Sequence, residues 1–358
     1  MKCDIAIIGG GMAGASLAAE LAPRLSVLLL EGEDHPGYHS TGRSAAFWSE
    51  TYGGPFVQPL TTASGAFLSE RGFLGLRRGL HLAGEEGRAA LAGMEAEFAG
   101  KVALKRIDRG EIEALVPGAR SEWREALLEP TCADIDVAAL HAFYLSAARR
   151  SGAPATTRAR VTGAQRQGGG WIIETSAGQV QAEVLVNAAG AWADEVARLA
   201  GVRPLGIQPY RRTVVQLATF PRASPEMPLV VDVLGRFYFK PEAGGRLWVS
   251  PHDETPSPPC DCAAEEIDVA LAVDRFEKAV DWQVERVERS WAGLRSFAPD
   301  RLPVYGFDPS EPGFFWFAGQ GGFGIQTAPA AAALAAALIL GAEPRLDPFP
   351  YRPGRFAN

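Results

Sequence analysis

The chain has 358 residues, of which 47% are hydrophobic and 22% charged, a composition typical of a globular protein rather than a disordered one. Forty-two acidic residues against 35 lysines and arginines give a net charge of −7, which argues against general nucleic-acid binding because that requires a basic face. Four cysteines are too few for a disulfide framework, and Cys260 and Cys262 fit no zinc pattern, so we expect reduced thiols and no metal.

The amino-terminal segment is apolar, but it lacks the basic stretch and the small-residue cleavage site of a secretory signal. The most apolar later stretch, residues 327–340, is shorter than the roughly 20 residues that a membrane-spanning helix needs. Its alanine content favours a buried helix instead. We therefore expect a cytoplasmic protein without a transmembrane segment.

Residues 4–31 predict a strand, a glycine-rich turn, a helix and a second strand. The first strand is a continuous apolar run over 5–8, as in a strand covered on both faces. Apolar residues recur at helical spacing over 12–22, and a second apolar run follows over 27–30. This order is that of a βαβ nucleotide-binding element.

The turn between the first strand and the helix carries Gly9, Gly11 and Gly14 in the spacing G-x-G-x-x-G. In this context the glycines allow a tight turn, a close approach of a pyrophosphate and close packing of helix on strand. The helix N-terminus offers free N–H groups to phosphates, and Glu31 can accept hydrogen bonds from ribose hydroxyls. We predict a dinucleotide site in which Glu31 disfavours NADP, while FAD and NAD both remain open on these residues alone.

The next segments are of mixed character. Residues 38–46 are polar and small, which fits either a loop along the cofactor or a loop far from it. Charged residues at helical spacing over 84–120 predict a solvated, amphipathic helical layer. A helix is predicted over 137–150, preceded by Asp134 and Asp136, whose carboxylates suit a helix N-terminus.

The second half begins with a predicted hairpin over 171–183 and a buried strand over 184–190. Antiparallel β-structure is predicted over 211–251, followed by a helix over 267–280. The glycine-rich segment 319–324 precedes the alanine-rich helix. Glycines there let the backbone pass close to a planar ring, and the helix N-terminus favours negative charge on that ring.

Six segments keep the order and approximate spacing of one family's motifs nearly from end to end: residues 37–46, 133–136, 185–192, 201–206, 291–297 and 320–327. Together they resemble the D-amino acid oxidase-like family of FAD enzymes, most closely its bacterial D-arginine dehydrogenases. The resemblance implies an α/β fold, with a Rossmann-like FAD-binding domain and an α+β substrate domain built on an antiparallel sheet. We assign residues 1–78, 137–210 and 300–358 to the discontinuous FAD-binding domain, and residues 79–136 and 211–299 to the substrate domain.

The resemblance also implies where FAD lies. Gly9, Gly11, Gly14 and Glu31 are expected to contact it, as the turn itself indicates. The resemblance adds positions from the polar segment, the glycine-rich segment and elsewhere: Ala13, Ser40, Thr41, Gly42, Arg43, Ser44, Ala45, Ala46, Phe47, Val161, Gly190, Gly321, Gly322, Phe323, Gly324, Ile325 and Gln326. Some relatives hold FAD through a carboxy-terminal cysteine, but the last cysteine here precedes that region, so we expect non-covalent FAD.

The substrate side is expected to centre on Arg295. An arginine in an otherwise apolar strand needs a partner, which is either an acid of the protein or a substrate carboxylate held by two parallel hydrogen bonds. The resemblance favours the substrate carboxylate and adds Tyr238 as a hydrogen-bond donor to it. It further implies Arg212 in the pocket wall, Gly322 in the flavin-facing segment and Tyr52 on a lid loop that moves.

Two positions depart from the arginine-oxidising relatives. Phe47 stands where they have a histidine beside the flavin, and Gly79 stands where they have a glutamate that pairs with the cationic end of the substrate. A guanidinium buried without a counter-charge is costly. We therefore expect neutral, mainly apolar D-amino acids to be preferred over D-arginine, unless Glu50 reaches the pocket.

These observations predict an FAD-dependent D-amino acid dehydrogenase or oxidase. It would move a hydride from the substrate Cα to flavin N5 and release an imino acid, which hydrolyses to a 2-oxo acid. The electron acceptor, a quinone or O2, stays open. Alternatives on the same fold are a glycine- or sarcosine-type amine oxidase and a 2-hydroxy-acid dehydrogenase, although Phe47 removes the obvious base for a hydroxy acid. A flavin-binding subunit without activity is less expected, because Arg295, Tyr238 and Tyr52 are all present.

Overall fold

The computed structural model describes residues 1–356, which form two large β-sheets, one small sheet and eight α-helices. The strands are, in chain order, β1 (Lys2–Ile8), β2 (Val27–Leu30), β3 (Phe47–Trp48), β4 (Leu74–Leu76), β5 (Gly79–Ala83), β6 (Lys105–Asp108), β7 (Glu125–Glu129), β8 (Ala133–Ile135), β9 (Ala155–Thr156), β10 (Val161–Gln167), β11 (Gly170–Thr175), β12 (Gly178–Asn187), β13 (Gln208–Phe220), β14 (Leu229–Asp232), β15 (Tyr238–Glu242), β16 (Arg246–Ser250), β17 (Thr255–Pro256), β18 (Gln283–Phe297), β19 (Val304–Phe307) and β20 (Phe314–Ala318). The helices are α1 (Met12–Leu21), α2 (Gln58–Glu70), α3 (Arg88–Phe98), α4 (Arg109–Leu115), α5 (Val137–Arg150), α6 (Ala193–Leu199), α7 (Glu266–Ala279) and α8 (Ala328–Ile339).

Strand β1 lies inside the first large sheet, parallel to β2 on one side and to β12 on the other. The order across this sheet is β10-β11-β12-β1-β2-β9, and β20 also runs parallel to β12. Ile5 and Ile7 pack towards α1, whereas Ala6 and Ile8 pack into the cluster on the opposite face. The continuous apolar run therefore is a strand covered on both faces, as the sequence predicts.

The second large sheet is mostly antiparallel, in the order β17-β13-β16-β15-β14-β5-β7-β6. Strand β18 pairs with β13 along its whole length, from Phe297 opposite Gln208 to Gln283 opposite Phe220. Helix α7 covers one face through Phe276, which is buried with the core side chains of β13, β15 and β16. The predicted mixed α/β fold with an antiparallel sheet is confirmed.

The expectation of a helical layer over residues 84–120 is only partly right. Helices α3 and α4 lie there, but strand β6 separates them and pairs with β7 at the edge of the second sheet. In β6 only Ile107 is buried, while Lys105 and Arg106 are exposed and pair with glutamates. Because most residues of this edge strand are charged, the sequence does not alternate between apolar and polar residues as a strand usually does. The sequence pattern therefore favours a helix.

The small sheet consists of β3, β8 and β4, and it places Phe47 directly opposite Asp134. The Trp48 indole donates a 3.0 Å hydrogen bond to the carbonyl oxygen of Thr61 on α2. This sheet therefore fixes the start of the loop that continues to Tyr52.

The carboxy-terminal segment returns to the first sheet. Strands β19 and β20 form an antiparallel pair at its edge, and α8 packs with α1 in the same apolar cluster. The first sheet is thus built from residues 2–30, 155–187 and 304–318. The domain ranges given above stay a prediction, and residues 357 and 358 of the last range lie outside the described residues. Among residues 1–356, no helix is both long and apolar enough to cross a membrane.

Candidate active site

The glycine-rich turn between β1 and α1 is packed so closely that side chains cannot enter it. A Cβ on Gly14 would overlap the carbonyl oxygen of Gly9, so the first turn of α1 lies directly on the end of β1. The first turn of α1 carries no acidic residue, and the amide of Met12 donates to the Thr41 hydroxyl at 3.0 Å. The positive end of this helix therefore faces the cavity described next.

Glu31 sits at the end of β2 and binds the backbone on both sides. Its Oε2 accepts a 2.9 Å hydrogen bond from the amide of Gly10, and its Oε1 accepts one of 2.9 Å from the amide of Glu33. These bonds fix the carboxylate against the glycine-rich turn. Its position beside the cavity suits acceptance from hydroxyl groups of a ligand.

A single elongated cavity of about 350 Å³ runs from this turn to Arg295. It is walled by the glycine-rich turn, the polar segment after β2 and the glycine-rich segment before α8. The predicted cofactor residues that line it are Gly9, Gly11, Ala13, Glu31, Ser40, Thr41, Arg43, Ser44, Ala45, Val161, Gly190, Gly321, Gly322, Gly324 and Ile325. The structure thus brings segments that are far apart in the chain to one site.

Six predicted cofactor residues do not line this cavity: Gly14, Gly42, Ala46, Phe47, Phe323 and Gln326. Gly42 closes the polar segment on itself, its amide donating to Gly37 at 2.8 Å. Phe47 and Phe323 instead contact the ring of Tyr52, at centroid distances of 5.4 and 6.2 Å. These residues therefore lie behind the cavity wall in this structure.

Sequence reasoning missed several residues of the wall. Trp192 lines the cavity and lies 4.6 Å from the ring of His39, which also lines it. Both belong to segments already singled out, so their position in the motifs is a usable signal. Arg160 lines the wall as well, but it belongs to none of the motifs described above, and no spacing points to it.

At the far end of the cavity, Arg295 on β18 meets Tyr52. The guanidinium Nη1 donates a 2.8 Å hydrogen bond to the Tyr52 hydroxyl. Burial acts to lower the pKa of Arg295. The oxygens of Tyr52 and Tyr238 act in the opposite direction, as do the carboxylates of Glu254 and Asp253. Together they raise the pKa of Arg295 above its ordinary value. Arg295 therefore carries a full positive charge into the cavity.

Arg212 on β13 and Tyr238 on β15 complete this end of the cavity. The Arg212 Nε donates to the carbonyl oxygen of Asp253 at 2.7 Å, and its Nη2 donates to Glu254 at 3.0 Å. Its Nη1 and the Tyr238 hydroxyl, both buried and both at the cavity, have no hydrogen-bond partner within residues 1–356. Burial, and then repulsion from Arg295, lower the pKa of Arg212 to about 10.

The loop that carries Tyr52 is held closed over Arg295. Ser49 and Thr51 are buried, at 3% and 5% exposure, and both donate to the carboxylate of Glu129. Gln326 accepts from the Ser49 amide at 3.2 Å and donates to the Tyr52 carbonyl oxygen at 3.1 Å. The movement expected of a lid loop stays a prediction, while the structure shows the first half of this loop tied down.

The structure answers the condition set on Glu50 in the sequence analysis: its carboxylate does not reach the cavity. Glu50 does not line the cavity, and its carboxylate accepts from the hydroxyls of Thr62 at 2.5 Å and Thr131 at 3.1 Å. Gly79 does not line the cavity either, and a Cβ there would meet the Cys132 side chain at 3.2 Å. Its lack of a side chain therefore says little about the cavity in this structure.

The comparisons with known proteins agree with one another. The family described as FAD dependent oxidoreductase matches residues 4–338. Glycine oxidase from Pseudomonas putida is 26% identical over 378 residues and covers 99% of both chains. Mitochondrial dimethylglycine dehydrogenase from Rattus norvegicus is 28% identical over 254 residues, covering 65% of this chain and 29% of that protein. The crystal structure of glycine oxidase from Geobacillus kaustophilus has a TM-score of 0.87 at 26% identity, over 98% of both chains.

FAD is the cofactor that these comparisons indicate, and the cavity fits it. His39 lines the cavity, and its buried Nδ1 has no hydrogen-bond partner within residues 1–356. The helix N-terminus at one end suits a pyrophosphate, and Glu31 suits a ribose. Within the described residues, no group of three or more His, Cys, Asp or Glu side chains could hold a metal ion.

Proposed function

The chain belongs to the family of FAD-dependent oxidoreductases, and on that premise we propose that it oxidises the amine of a small amino acid of the glycine type, such as glycine or N-methylglycine. Oxidation of an amine is supported by the relatives that cover nearly the whole chain, which are glycine oxidases. N-methylated glycine enters the proposal because dimethylglycine dehydrogenase matches 65% of the chain.

The observation that carries the proposal is the cationic end of the cavity. The charged Arg295 is joined there by the Arg212 Nη1 and the Tyr238 hydroxyl, two buried donors without a partner among the described residues. Buried donors without an acceptor are rare in folded proteins, and they cost free energy of folding unless a ligand accepts their hydrogen bonds. A carboxylate offers four acceptor sites and can take two parallel bonds from a guanidinium, so an amino acid carboxylate satisfies this end.

Phe47 supports a small substrate. From behind the cavity wall its ring packs 5.4 Å from the ring of Tyr52 and 5.9 Å from the ring of Tyr238, so it holds these two rings in place beside Arg295. Val214 lines the same wall. A substrate whose carboxylate reaches Arg295 then has little room for a side chain on Cα, which favours glycine and its N-methyl derivatives.

FAD, when bound, supplies the two-electron oxidant for the Cα–N bond. The task of the chain is to hold the substrate carboxylate on Arg295, so that Cα is fixed in one orientation and water is kept out. Arg295, Arg212, Tyr52 and Tyr238 present N–H and O–H groups at this end, and none of the acids that line the cavity contacts Arg295 or Tyr52, as a general base beside the substrate would. The amine therefore has to enter as its neutral form.

A second candidate is a neutral D-amino acid, which the motifs shared with the D-amino acid oxidase-like family favour. The acids that line the cavity are Glu31, Glu33 and Glu195, and none of them contacts Arg295 or Tyr52. A cationic side chain such as that of D-arginine would find no counter-charge beside the carboxylate. A neutral D-amino acid requires the rings of Tyr52 and Tyr238 to move back and admit its side chain.

The test is flavin bleaching without oxygen. The holoenzyme is mixed anaerobically with glycine, N-methylglycine, D-alanine, D-leucine or D-arginine, and the loss of flavin absorbance is timed; glycine methyl ester, which lacks the carboxylate, is the matched control. We expect glycine or N-methylglycine to bleach the flavin fastest and the ester to be slow. Faster bleaching by D-leucine would favour the second candidate, and no bleaching by any of them would overturn amine oxidation. Admitting O2 afterwards separates an oxidase from a dehydrogenase.

A further inference from the structure

A fully buried carboxylate lies behind the loop that carries Tyr52. Glu129 is the last residue of β7, its exposed fraction is 0%, and it does not line the cavity. Four groups surround it: the Ser49 hydroxyl at 2.9 Å, the Glu50 amide at 2.6 Å, the Thr51 hydroxyl at 2.8 Å and the His81 ring Nε2 at 3.3 Å. Three of these four belong to the chain segment directly before Tyr52.

These contacts keep Glu129 ionised. Burial acts to raise the pKa of this carboxyl, but His81, Thr51 and Ser49 donate to it and together hold its pKa below the ordinary value. An ion without solvent is costly unless every acceptor site is filled. The hydrogen bonds to Glu129 therefore require the Ser49–Thr51 segment to stay in its place. The charge on Glu129 in turn holds that segment there.

The opposite side of the loop is held from the flavin-facing segment. Gln326 binds the Ser49 amide and the Tyr52 carbonyl oxygen, and its own Nε2 also donates to the Thr61 hydroxyl at 2.9 Å. Beyond Tyr52 the chain continues into Gly53 and Gly54, both with positive φ. The loop is thus tied down before Tyr52, whereas two glycines follow it.

We propose that Glu129 is a positioning residue that sets where the Tyr52 hydroxyl stands against Arg295. This rests on the proposed function, which places the substrate carboxylate at that pair. The two oxygens of the Glu129 carboxylate accept three hydrogen bonds from the Ser49–Thr51 segment, and a neutral amide at this position cannot accept all of them. The segment begins at β3 and is followed by Gly53 and Gly54. Tyr52 can then shift away from the Arg295 guanidinium.

The test is a double-mutant cycle on ligand binding, in the holoenzyme. Glu129→Gln keeps the size of the side chain but leaves one carbonyl oxygen to accept, with an NH2 group facing donors. The dissociation constant of acetate, a carboxylate that cannot be oxidised as an amine, is measured from the change in flavin absorbance. We expect about a 10-fold weaker binding in Glu129→Gln and in Tyr52→Phe, and no further loss in the double variant, because coupled residues are not additive.

Asp308→Asn is the matched control, because Asp308 is also a buried carboxylate; it lies between β19 and β20 and accepts from the Trp316 indole and from the amides of Ser310 and Glu311. It should lower stability and leave acetate binding unchanged. Thr51→Val, which removes a single donor to Glu129, carries the test if Glu129→Gln does not fold, with weaker acetate binding expected.

Normal acetate binding in Glu129→Gln or Thr51→Val, or strictly additive losses in the double variant, would overturn the positioning role of Glu129. Wild-type holoenzyme that binds no acetate would instead count against the proposed function, so the two failures are distinguishable.

Discussion

The Arg295 guanidinium and the Tyr52 hydroxyl, 243 residues apart in the chain, are joined by a hydrogen bond of 2.8 Å. Gly322 stands against both of them, and a Cβ at this glycine would overlap the Tyr52 hydroxyl and lie 3.0 Å from Arg295 Nη1. Three segments therefore meet at one point: the antiparallel strand β18, the loop after β3 and the turn before α8. Their meeting forms the cationic end of the cavity.

Replacing Arg295 with methionine should remove most substrate binding while FAD stays bound. The guanidinium is the charged partner of a buried carboxylate in the proposed complex, and loss of one partner of such a pair costs about 2–5 kcal/mol of binding free energy. We expect kcat/KM to fall by the corresponding factor, about 30- to 4,000-fold, in steady-state kinetics on flavin-replete enzyme. Arg286→Met, on the same strand but largely exposed, is the control and should be near normal. Wild-type-like kinetics for Arg295→Met would remove Arg295 from the site.

Replacing Phe47 with alanine should change which amino acid is preferred. The Phe47 ring packs against Tyr52 and Tyr238 from behind the cavity wall, so its removal lets these two rings move back and opens room beside Cα. A pocket distinguishes substrates that differ by small apolar groups by about 1–3 kcal/mol per methylene. We expect kcat/KM for D-alanine, divided by kcat/KM for glycine, to rise by about 10- to 200-fold. Phe67→Ala, in a separate cluster with Tyr144, should leave the ratio unchanged; an unchanged ratio in Phe47→Ala as well would contradict the role of Phe47.

The parts of the fold that the sequence predicts well are those in which one period dominates. Strand β1 is apolar on both faces, and helix α5 spans the predicted residues 137–150 because its N-terminal Asp136 accepts from the amide of Ala139. Strand β6 was missed because only Ile107 of its four residues is buried. Its pairing with β7 depends on contacts that no local pattern encodes.

The residues of the candidate site also differ in how well the sequence predicts them. Residues in the glycine-rich turn and the polar segment could be predicted, because each sits in a motif with its own spacing. The anchoring of the Tyr52 loop could not, since Glu129 and His81 come from strands β7 and β5, neither of which was predicted. Whether a side chain at position 79 would face the cavity could not be predicted for a related reason: its direction depends on the strand's face, which a one-residue change in register reverses.

Replacing Gly14 with alanine should weaken FAD binding. A Cβ there overlaps the carbonyl oxygen of Gly9, so α1 has to move away from the turn that faces the pyrophosphate. We expect at least about a 10-fold rise in the FAD dissociation constant, measured by fluorescence titration of the apoprotein. Gly93→Ala is the matched control, because a Cβ at that position of α3 meets no atom within 4 Å and should leave FAD binding intact. Equal affinities in the two variants would contradict the proposed position of the pyrophosphate.

FAD should be released on acid precipitation. The free cysteines Cys3, Cys132, Cys260 and Cys262 are all absent from the cavity wall. His39 does line the wall, but its Nε2 already lies 3.2 Å from the carboxylate of Glu33. We therefore expect the yellow colour in the supernatant after trichloroacetic acid treatment, read as flavin absorbance. Colour that stays in the washed pellet would show a covalent bond, and His39→Ala would then tell whether His39 forms it.

Acid should destabilise the nucleotide-binding turn through His141. This residue of α5 is buried, and its Nε2 lies 2.9 Å from the Gly10 carbonyl oxygen, to which the neutral ring donates. Burial lowers the pKa of His141, whereas the Gly10 carbonyl and Glu31 act to raise it. Between the lowered pKa of the folded state and the ordinary value of 6.5, the unfolded chain binds more protons than the folded one. The free energy of unfolding therefore falls as the pH drops through this window, by at most about 1.4 kcal/mol per pH unit.

His141→Gln removes the titrating group but keeps an amide that can donate to the same carbonyl oxygen. Its free energy of unfolding should therefore depend less on pH below 6.5 than that of the wild type, and at pH 8 the two should differ little. The measurement is urea unfolding of the holoprotein at a series of pH values, at one fixed FAD concentration because bound cofactor adds to stability. Variant and wild-type curves that stay parallel from pH 8 down to pH 5 would show that His141 does not titrate in this range. In that case the acid sensitivity of the protein, if any, would have to come from other groups.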